Sequence, residues 1–319
     1  MSPSFSPHRR LWCAFISTCA VSVPAFGQPS FMSGRQKAAN TLYLLAEGGD
    51  QRAIEQLRRA AEQGDSWSAL QYGYILHLGI GGVQVDKAGA FAAYQIASPS
   101  SENALGGLKV AAYNQGLMYL WGETTDKQID IGSAIKWLRV AGLAESSEDG
   151  CTLPAAMQLA VIYENGFGKQ PQNLPEAARW YSVAAKFGDP VAMYKHGRIQ
   201  IEGEYASRSP AVGVQMLQKA SERGSADAMY YLAALYARGA SFLQQSDYYA
   251  AYWVIVASLS KTGKRDPAYT QAVTDAEARL KGGSLASVRK EAQRFSQMHS
   301  ARAARVKYNT PLNAAVQFY

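Results

Sequence analysis

Imidazole and thiolate chemistry in this chain would fall to few residues. The histidines are His8, His77, His196 and His299, and the cysteines are Cys13, Cys19 and Cys151. A protein metal site needs three or four such ligands converging on one point. His77 and His196 belong to well-separated segments, and Cys151 has no ligand-type residue beside it. The carboxylates are scattered, so no pair can be assigned to acid and base roles. No zinc-protease helix, phosphate loop, nucleophile elbow or dinucleotide fingerprint is present. The sequence therefore assigns no catalytic residue, no metal and no cofactor, and it reads as a chain that binds rather than reacts.

Of the 319 residues, 48% are hydrophobic and 18% charged, a composition that can bury a core and excludes a disordered chain. The N-terminus has the form of an export signal. His8, Arg9 and Arg10 are basic, Leu11 to Val23 is apolar without a charge, and Ala25-Phe26-Gly27 offers a cut after Ala25 or after Gly27. The apolar run is short of the ~20 residues that span a bilayer, and no transmembrane segment is expected in the mature chain. Periplasm is the expected destination, with secretion the alternative. Loss of residues 1–27 would remove Cys13 and Cys19 and leave Cys151 as the one cysteine, so stability must come from packing even in an oxidising compartment.

The formal net charge is +7, and its distribution is uneven. From Lys261 onward eleven Lys and Arg face four Asp and Glu, while Gln28 to Ser260 carries about −2. A basic segment on a near-neutral body suits an anionic surface or an acidic partner. It also suits a solvated helical face, and no nucleic-acid partner is expected.

What would position any binding residue is a repeat. Small residues stand at Ala53, Ala90, Ala134, Ala177, Gly213 and Ala250. Seven on is alanine each time, at Ala60, Ala97, Ala141, Ala184, Ala220 and Ala257. Four on is a bulky residue, at Leu57, Tyr94, Leu138, Tyr181, Leu217 and Val254. Spacings of three, four and seven place these on one face of a helix, termed helix B. A preceding helix A ends on Gly79, Gly122, Gly166, Gly203 or Gly239, with Gly73, Gly116, Ala160, Gly197 or Ala233 six residues earlier. A glycine inside a helix costs about 1 kcal/mol against alanine. Gly73, Gly116 and Gly197 are therefore expected where a facing helix leaves no room for a Cβ. Turn residues agree: Gly188-Asp189-Pro190, Gly224-Ser225, Gly64-Asp65 and Gly49-Asp50 have the form of helix stop and start signals.

These residues resemble the Sel1-like repeat family, relatives of tetratricopeptide repeats. The family pattern is carried by Ala155, Leu159, Tyr163, Gly166, Gly168, Ala177, Trp180, Tyr181, Ala184, Ala185 and Gly188, and its loop part by Gly79, Gly81, Val83, Asp86 and Lys87. The resemblance covers roughly 50 to 261 and implies an all-α, right-handed superhelical solenoid of antiparallel helix hairpins with helical caps. Gln200 replaces the tyrosine of its repeat, and the loops after Gly122 and Gly203 lack the second glycine. Looser hairpins are predicted at those two places. A disulfide-stapled subgroup of the family has been associated with β-lactam binding. Its paired cysteines are absent here, so its chemistry is not carried over.

The expected organisation is a signal peptide at 1–27, a linker and capping helix at 28–49 and a repeat solenoid at 50–264. Capping helices at 265–302 and an extended tail at 303–319 follow. The helix B beat runs 37, 44, 43, 36 and 37 residues. The two long intervals place inserted loops near Ser98 to Gly107 and Ala144 to Leu153, either on one rim as contact loops or as tolerated insertions.

The resemblance makes helix A the lining of a concave face and implies a protein or peptide partner. Positions one and four after the helix A Gly or Ala then point partly into that face. Tyr74, His77, Leu117, Leu120, Glu164 and Arg198 are candidates on this ground, with Trp67 and Tyr113 adding aromatic area near the N-terminal end. The same residues can instead pack within and between repeats. The expected function is an exported protein-interaction scaffold and not an enzyme. The alternative is an envelope enzyme or glycan-binding protein acting on peptidoglycan or β-lactams, for which Glu164 is the groove carboxylate.

Overall fold

The structure is a computed structural model that describes residues 33–98, 108–143, 151–203, 208–260, 267–280 and 284–306. The export segment, most of both inserted loops and the tail beyond residue 306 lie outside the described residues. Among the described residues there are fourteen α-helices, one 3-10 turn (Ile80–Gly82) and no strand beyond two isolated bridges.

The chain divides after Asn173 into two compact units. The first holds α1 (Gly34–Glu47), α2 (Gln51–Glu62), α3 (Ser66–Leu78), α4 (Lys87–Ala97), α5 (Lys109–Trp121), α6 (Ile131–Gly142) and α7 (Thr152–Asn165). The second holds α8 (Leu174–Lys186), α9 (Pro190–Glu202), α10 (Pro210–Glu222), α11 (Ala226–Arg238), α12 (Asp247–Leu259), α13 (Pro267–Arg279) and α14 (Ser284–Val306). Helices α3 and α4, α5 and α6, α9 and α10, and α11 and α12 pack as hairpins of one helix A and one helix B.

Every helix B carries its register inward. Leu57, Tyr94, Leu138, Tyr181 and Leu217 are fully buried and Val254 is nearly so. The alanines at 97, 141, 184, 220 and 257 are likewise fully buried. In α2 the pattern slips by one place, since Ala61 is buried and Ala60 only half-buried. Each buried leucine contributes about 1.5–3 kcal/mol relative to its exposed state.

The helix A glycines stand where a facing side chain fills the available room. A Cβ on Gly73 would lie 2.5 Å from the Tyr94 ring, and one on Gly116 would lie 2.8 Å from Leu138 Cγ. On Gly197 it would lie 2.8 Å from the Gly213 carbonyl oxygen and 3.0 Å from Leu217 Cγ. In each hairpin the crowding side chain is the bulky residue of the helix B register, as ridge-into-groove packing requires.

Helix starts show which turns are built alike. Asp50, Asp65, Asp86, Asp130, Asp189, Ser225 and Ser246 each accept a backbone N–H of the following first turn. The exceptions include α5 and α7, which begin after the two inserted segments. Leu108 and Cys151 precede them and supply no side-chain cap.

The hairpin after Gly122 is not loosened, contrary to the sequence expectation. Asp130 N–H still donates to Tyr119 O at 3.1 Å. The loop is organised by Asp126, whose carboxylate accepts from Thr124 Oγ1 and from Gln128 N–H. Lys127 takes the left-handed conformation (φ 55°) in a loop that lacks the second glycine, a conformation that is uncommon for a side chain of this type. At the C-terminal end α13 and α14 pack on α12. Val288 and Ala292 are fully buried, and Phe295 meets Trp253 edge-on at 5.5 Å.

Candidate functional site

Most of the helix A patch expected to face a partner is built into packing. In α3, Tyr74 is 7% exposed and meets Tyr94 edge-on at 5.8 Å. In α5, Tyr113, Leu117 and Leu120 are buried. Glu164, near the end of α7, is also buried, and its backbone carbonyl accepts from Gln172. Trp67 and Arg198 are half-exposed, while the His77 side chain is only 11% exposed, and Trp67 packs against the core of the first unit.

In the first unit the structure brings Tyr74 and His77 together on Tyr94. His77 Nδ1 lies 3.3 Å from the Tyr94 hydroxyl, and its Nε2 lies 3.4 Å from Glu123 Oε2. Lys87 pairs with the other oxygen of Glu123. Burial pushes the Glu123 carboxyl up, but His77 and Lys87 outweigh it and hold the group below its ordinary value of 4.5. Glu123 escapes the sequence reading because its partners come from the previous repeat, 36 residues away for Lys87. Its position directly after the helix A glycine Gly122 is the one signal for it.

In the second unit the corresponding faces of α9 and α11 are more polar and more open. Arg198 Nε lies 3.6 Å from Glu202 Oε2, and the Tyr231 hydroxyl donates to the other oxygen of Glu202. Tyr194 meets Tyr231 edge-on at 6.3 Å. Burial raises the Tyr231 hydroxyl pKa, and the bond to Glu202 raises it further. Burial also raises Tyr194, while Arg198 pulls it back. Tyr194, Glu202 and Tyr231 were not among the sequence candidates. Their signal is the register, since Tyr231 stands two residues before Ala233, as Asn114 stands two before Gly116.

Among the described residues no three His, Cys, Asp or Glu side chains gather in a way that could hold a metal ion. Cys151 is buried, with Sγ 4.0 Å from Ala141 O. His299 stacks on Phe295 at 3.9 Å and contacts the Phe295 carbonyl.

The family model for the Sel1 repeat matches residues 49–65, 68–98, 109–145, 153–189, 190–225 and 226–258, more than half of the chain. The chain belongs to the Sel1 repeat family. The matched segments follow the helix A and helix B register, and Sel1 repeats form scaffolds consistent with protein–protein interaction. Among solved structures the chain is similar to a Sel1 repeat protein from Oxalobacter formigenes, at 26% identity over 84% of this chain and 99% of that one, with a TM-score of 0.49. It is also similar to a protective antigen of uropathogenic Escherichia coli strains displaying an SLR fold, at 18% identity, 86% of this chain and a TM-score of 0.41. The chain spans 64% of that antigen's length. An immunity protein from Pseudomonas aeruginosa matches at 15% identity over 83% of each chain, with a TM-score of 0.33. No curated protein matches in sequence.

Proposed function

We propose that this Sel1 repeat chain is an exported interaction scaffold that holds a peptide segment or partner domain on its helix A faces, the concave side of a solenoid. The observation that carries this reading is the pattern of exposure along helix A. Buried Tyr74, Tyr113, Leu117 and Leu120 form the wall behind the face. Half-exposed Trp67 in one unit, and Tyr194, Arg198 and Tyr231 in the other, are the side chains a partner reaches. Tyrosine and tryptophan bring large contact area with few rotatable bonds, and arginine is enriched with them at binding hot spots. Export rests on the basic, apolar and small-residue succession of residues 1–27. The basic C-terminal segment adds an anionic surface as a second contact. No helix among the described residues is long and apolar enough to cross a membrane.

Two measurements test this. N-terminal sequencing of the chain recovered from its own cells reads the cut after Ala25 or Gly27, and an intact Met1 would refute export by cleavage. Pull-down from the same cells with Trp67→Ala combined with Arg198→Glu should lose partners that the parent retains, at unchanged helix content. Equal recovery would overturn the helix A assignment.

A further inference from the structure

The hairpins are closed by one recurring backbone bond. The N–H of the residue before helix B donates to the carbonyl three residues before the helix A glycine. The pairs are Asp86 to Leu76 at 2.9 Å, Asp130 to Tyr119 at 3.1 Å, Asn173 to Tyr163 at 2.7 Å and Ser246 to Tyr236 at 2.9 Å. The α9–α10 hairpin departs from this. Ser209 N–H donates to the side-chain oxygen Oε1 of Gln200 at 2.7 Å. Gln200 occupies the place of Leu76, Tyr119, Tyr163 and Tyr236.

That bond fixes the direction of the amide, whose Nε2 then faces His196 Nε2 at 3.1 Å. An amide nitrogen only donates, so the imidazole Nε2 accepts and the ring proton sits on Nδ1. His196 is 8% exposed, and among the described residues its Nδ1 has no hydrogen-bond partner. The closure is thus a relay from His196 through Gln200 to Ser209 that requires a neutral imidazole.

We propose that this relay makes the α9–α10 hairpin an acid-opened element: a proton from solvent added at His196 Nε2 breaks the hold on the Ser209 N–H. With the ring protonated, an imidazolium N–H meets the Gln200 NH2, donor against donor. If the amide turns to offer Oε1 to the ring, its NH2 then faces Ser209 N–H, again donor against donor. Either arrangement loses one contact of the relay.

Burial holds His196 below its ordinary value of 6.5. Of the described charged groups on α8, α9 and α10, Lys186, Lys219 and Glu222 are exposed, Lys195 is half-buried, and others have partners of their own. Glu176 pairs with Arg179 on α8, Arg198 pairs with Glu202 on α9, and Arg223 at the end of α10 donates to Gly188 O. Arg208, ahead of α10, donates to Ile201 O, and Asp189 caps α9. A histidine whose folded value is lowered gives the opened state more bound protons. The closed hairpin is therefore fully favoured above 6.5 and loses ground as pH falls through that value toward the folded one.

The test is amide hydrogen exchange on the full chain from about pH 7.5 to about pH 5, with rates divided by their intrinsic values. Ser246, closed by backbone alone, is the internal reference. Protection at Ser209 should fall by up to about tenfold per pH unit below the ordinary histidine value, while Ser246 stays level. His196→Leu places in α9 the residue that Leu159 and Leu232 supply at the same register, and should abolish the fall. Gln200→Tyr restores the residue of Tyr119 and Tyr163 and should abolish it as well, deciding the matter if His196→Leu loses helix content. Protection at Ser209 that follows Ser246 at every pH, or a fall that persists in Gln200→Tyr, would overturn the proposal.

Discussion

Gly73 and Tyr94 meet so closely that a Cβ on the glycine would stand 2.5 Å from ring carbon Cε1. Tyr94 is fully buried. The relationship recurs between Gly116 and Leu138 and between Gly197 and Leu217. A residue that weakens a helix by itself is therefore what allows the two helices of a hairpin to touch.

Gly197 is the most severe of these sites, because a Cβ there meets backbone, the Gly213 carbonyl oxygen at 2.8 Å. Gly197→Ala should cost about 1–3 kcal/mol and Gly197→Leu more, the usual scale of overpacking. The melting temperature should drop by several degrees or more, since roughly 2–4 °C accompany each kcal/mol in a chain of this size. Gly34→Ala, where the added atom meets nothing within 4 Å, should leave the melt unchanged or slightly raised. An unchanged melt for Gly197→Leu would refute the close hairpin packing.

The second prediction concerns acid. Glu123 is held below its ordinary 4.5 because His77 and Lys87 outweigh the opposing effect of burial. A lowered carboxylate gives the unfolded state more protons at low pH. Its stabilisation is present above 4.5 and is lost as pH falls through the folded value. The melting difference between the parent and Glu123→Gln should be fully present above 4.5 and shrink as pH falls below it. Thermal melts across that range check it, and a difference independent of pH would remove the charge pairing from the account.

The repeat was legible because it is written in residue size. The buried series Leu57, Tyr94, Leu138, Tyr181 and Leu217 follows from spacing alone, as does the crowding at Gly73, Gly116 and Gly197. The face of helix A was read less well. The register shows which way Leu117 points along its own helix but not how closely neighbouring helices cover it, and it is 9% exposed. The departures were hardest to read. Thr124, Asp126 and Lys127 rebuild a loop without its second glycine, and Gln200 replaces a backbone closure with a side-chain one. Each is a local substitution whose meaning appears only when its hydrogen-bond partner is in view.

Capping gives a third prediction. Asp130 accepts from both the backbone N–H and the hydroxyl of Ser133, at 3.0 and 2.7 Å, and these bonds lower its carboxyl pKa. Asp130→Ala should cost about 1 kcal/mol, the usual scale of a lost helix cap. Asp130→Asn, which still offers an oxygen to the helix, should recover most of it. Denaturant unfolding of the two variants makes the comparison, and equal losses would assign the effect to charge rather than to the cap.

The last prediction separates the wall of the proposed face from its contact points. Leu117 lies in α5 beside the fully buried Met118. Leu117→Glu would place a charge in a nearly closed site, which is costly without a partner for it. It should lower the helix signal and the melt together, so partner loss in that variant would report unfolding. Trp67 is half-exposed at the start of α3, and Arg198 is half-exposed on α9. Surface changes of this kind are usually within about 0.5 kcal/mol, more where a large side chain also packs, as Trp67 does. Trp67→Ala and Arg198→Glu should therefore keep the melt within a few degrees of the parent while reducing partner recovery. Circular dichroism and pull-down on the same preparations decide between the two. If Trp67→Ala and Arg198→Glu retain every partner while Leu117→Glu loses them with its helices intact, the contact surface lies on the α5 wall and not on the half-exposed side chains.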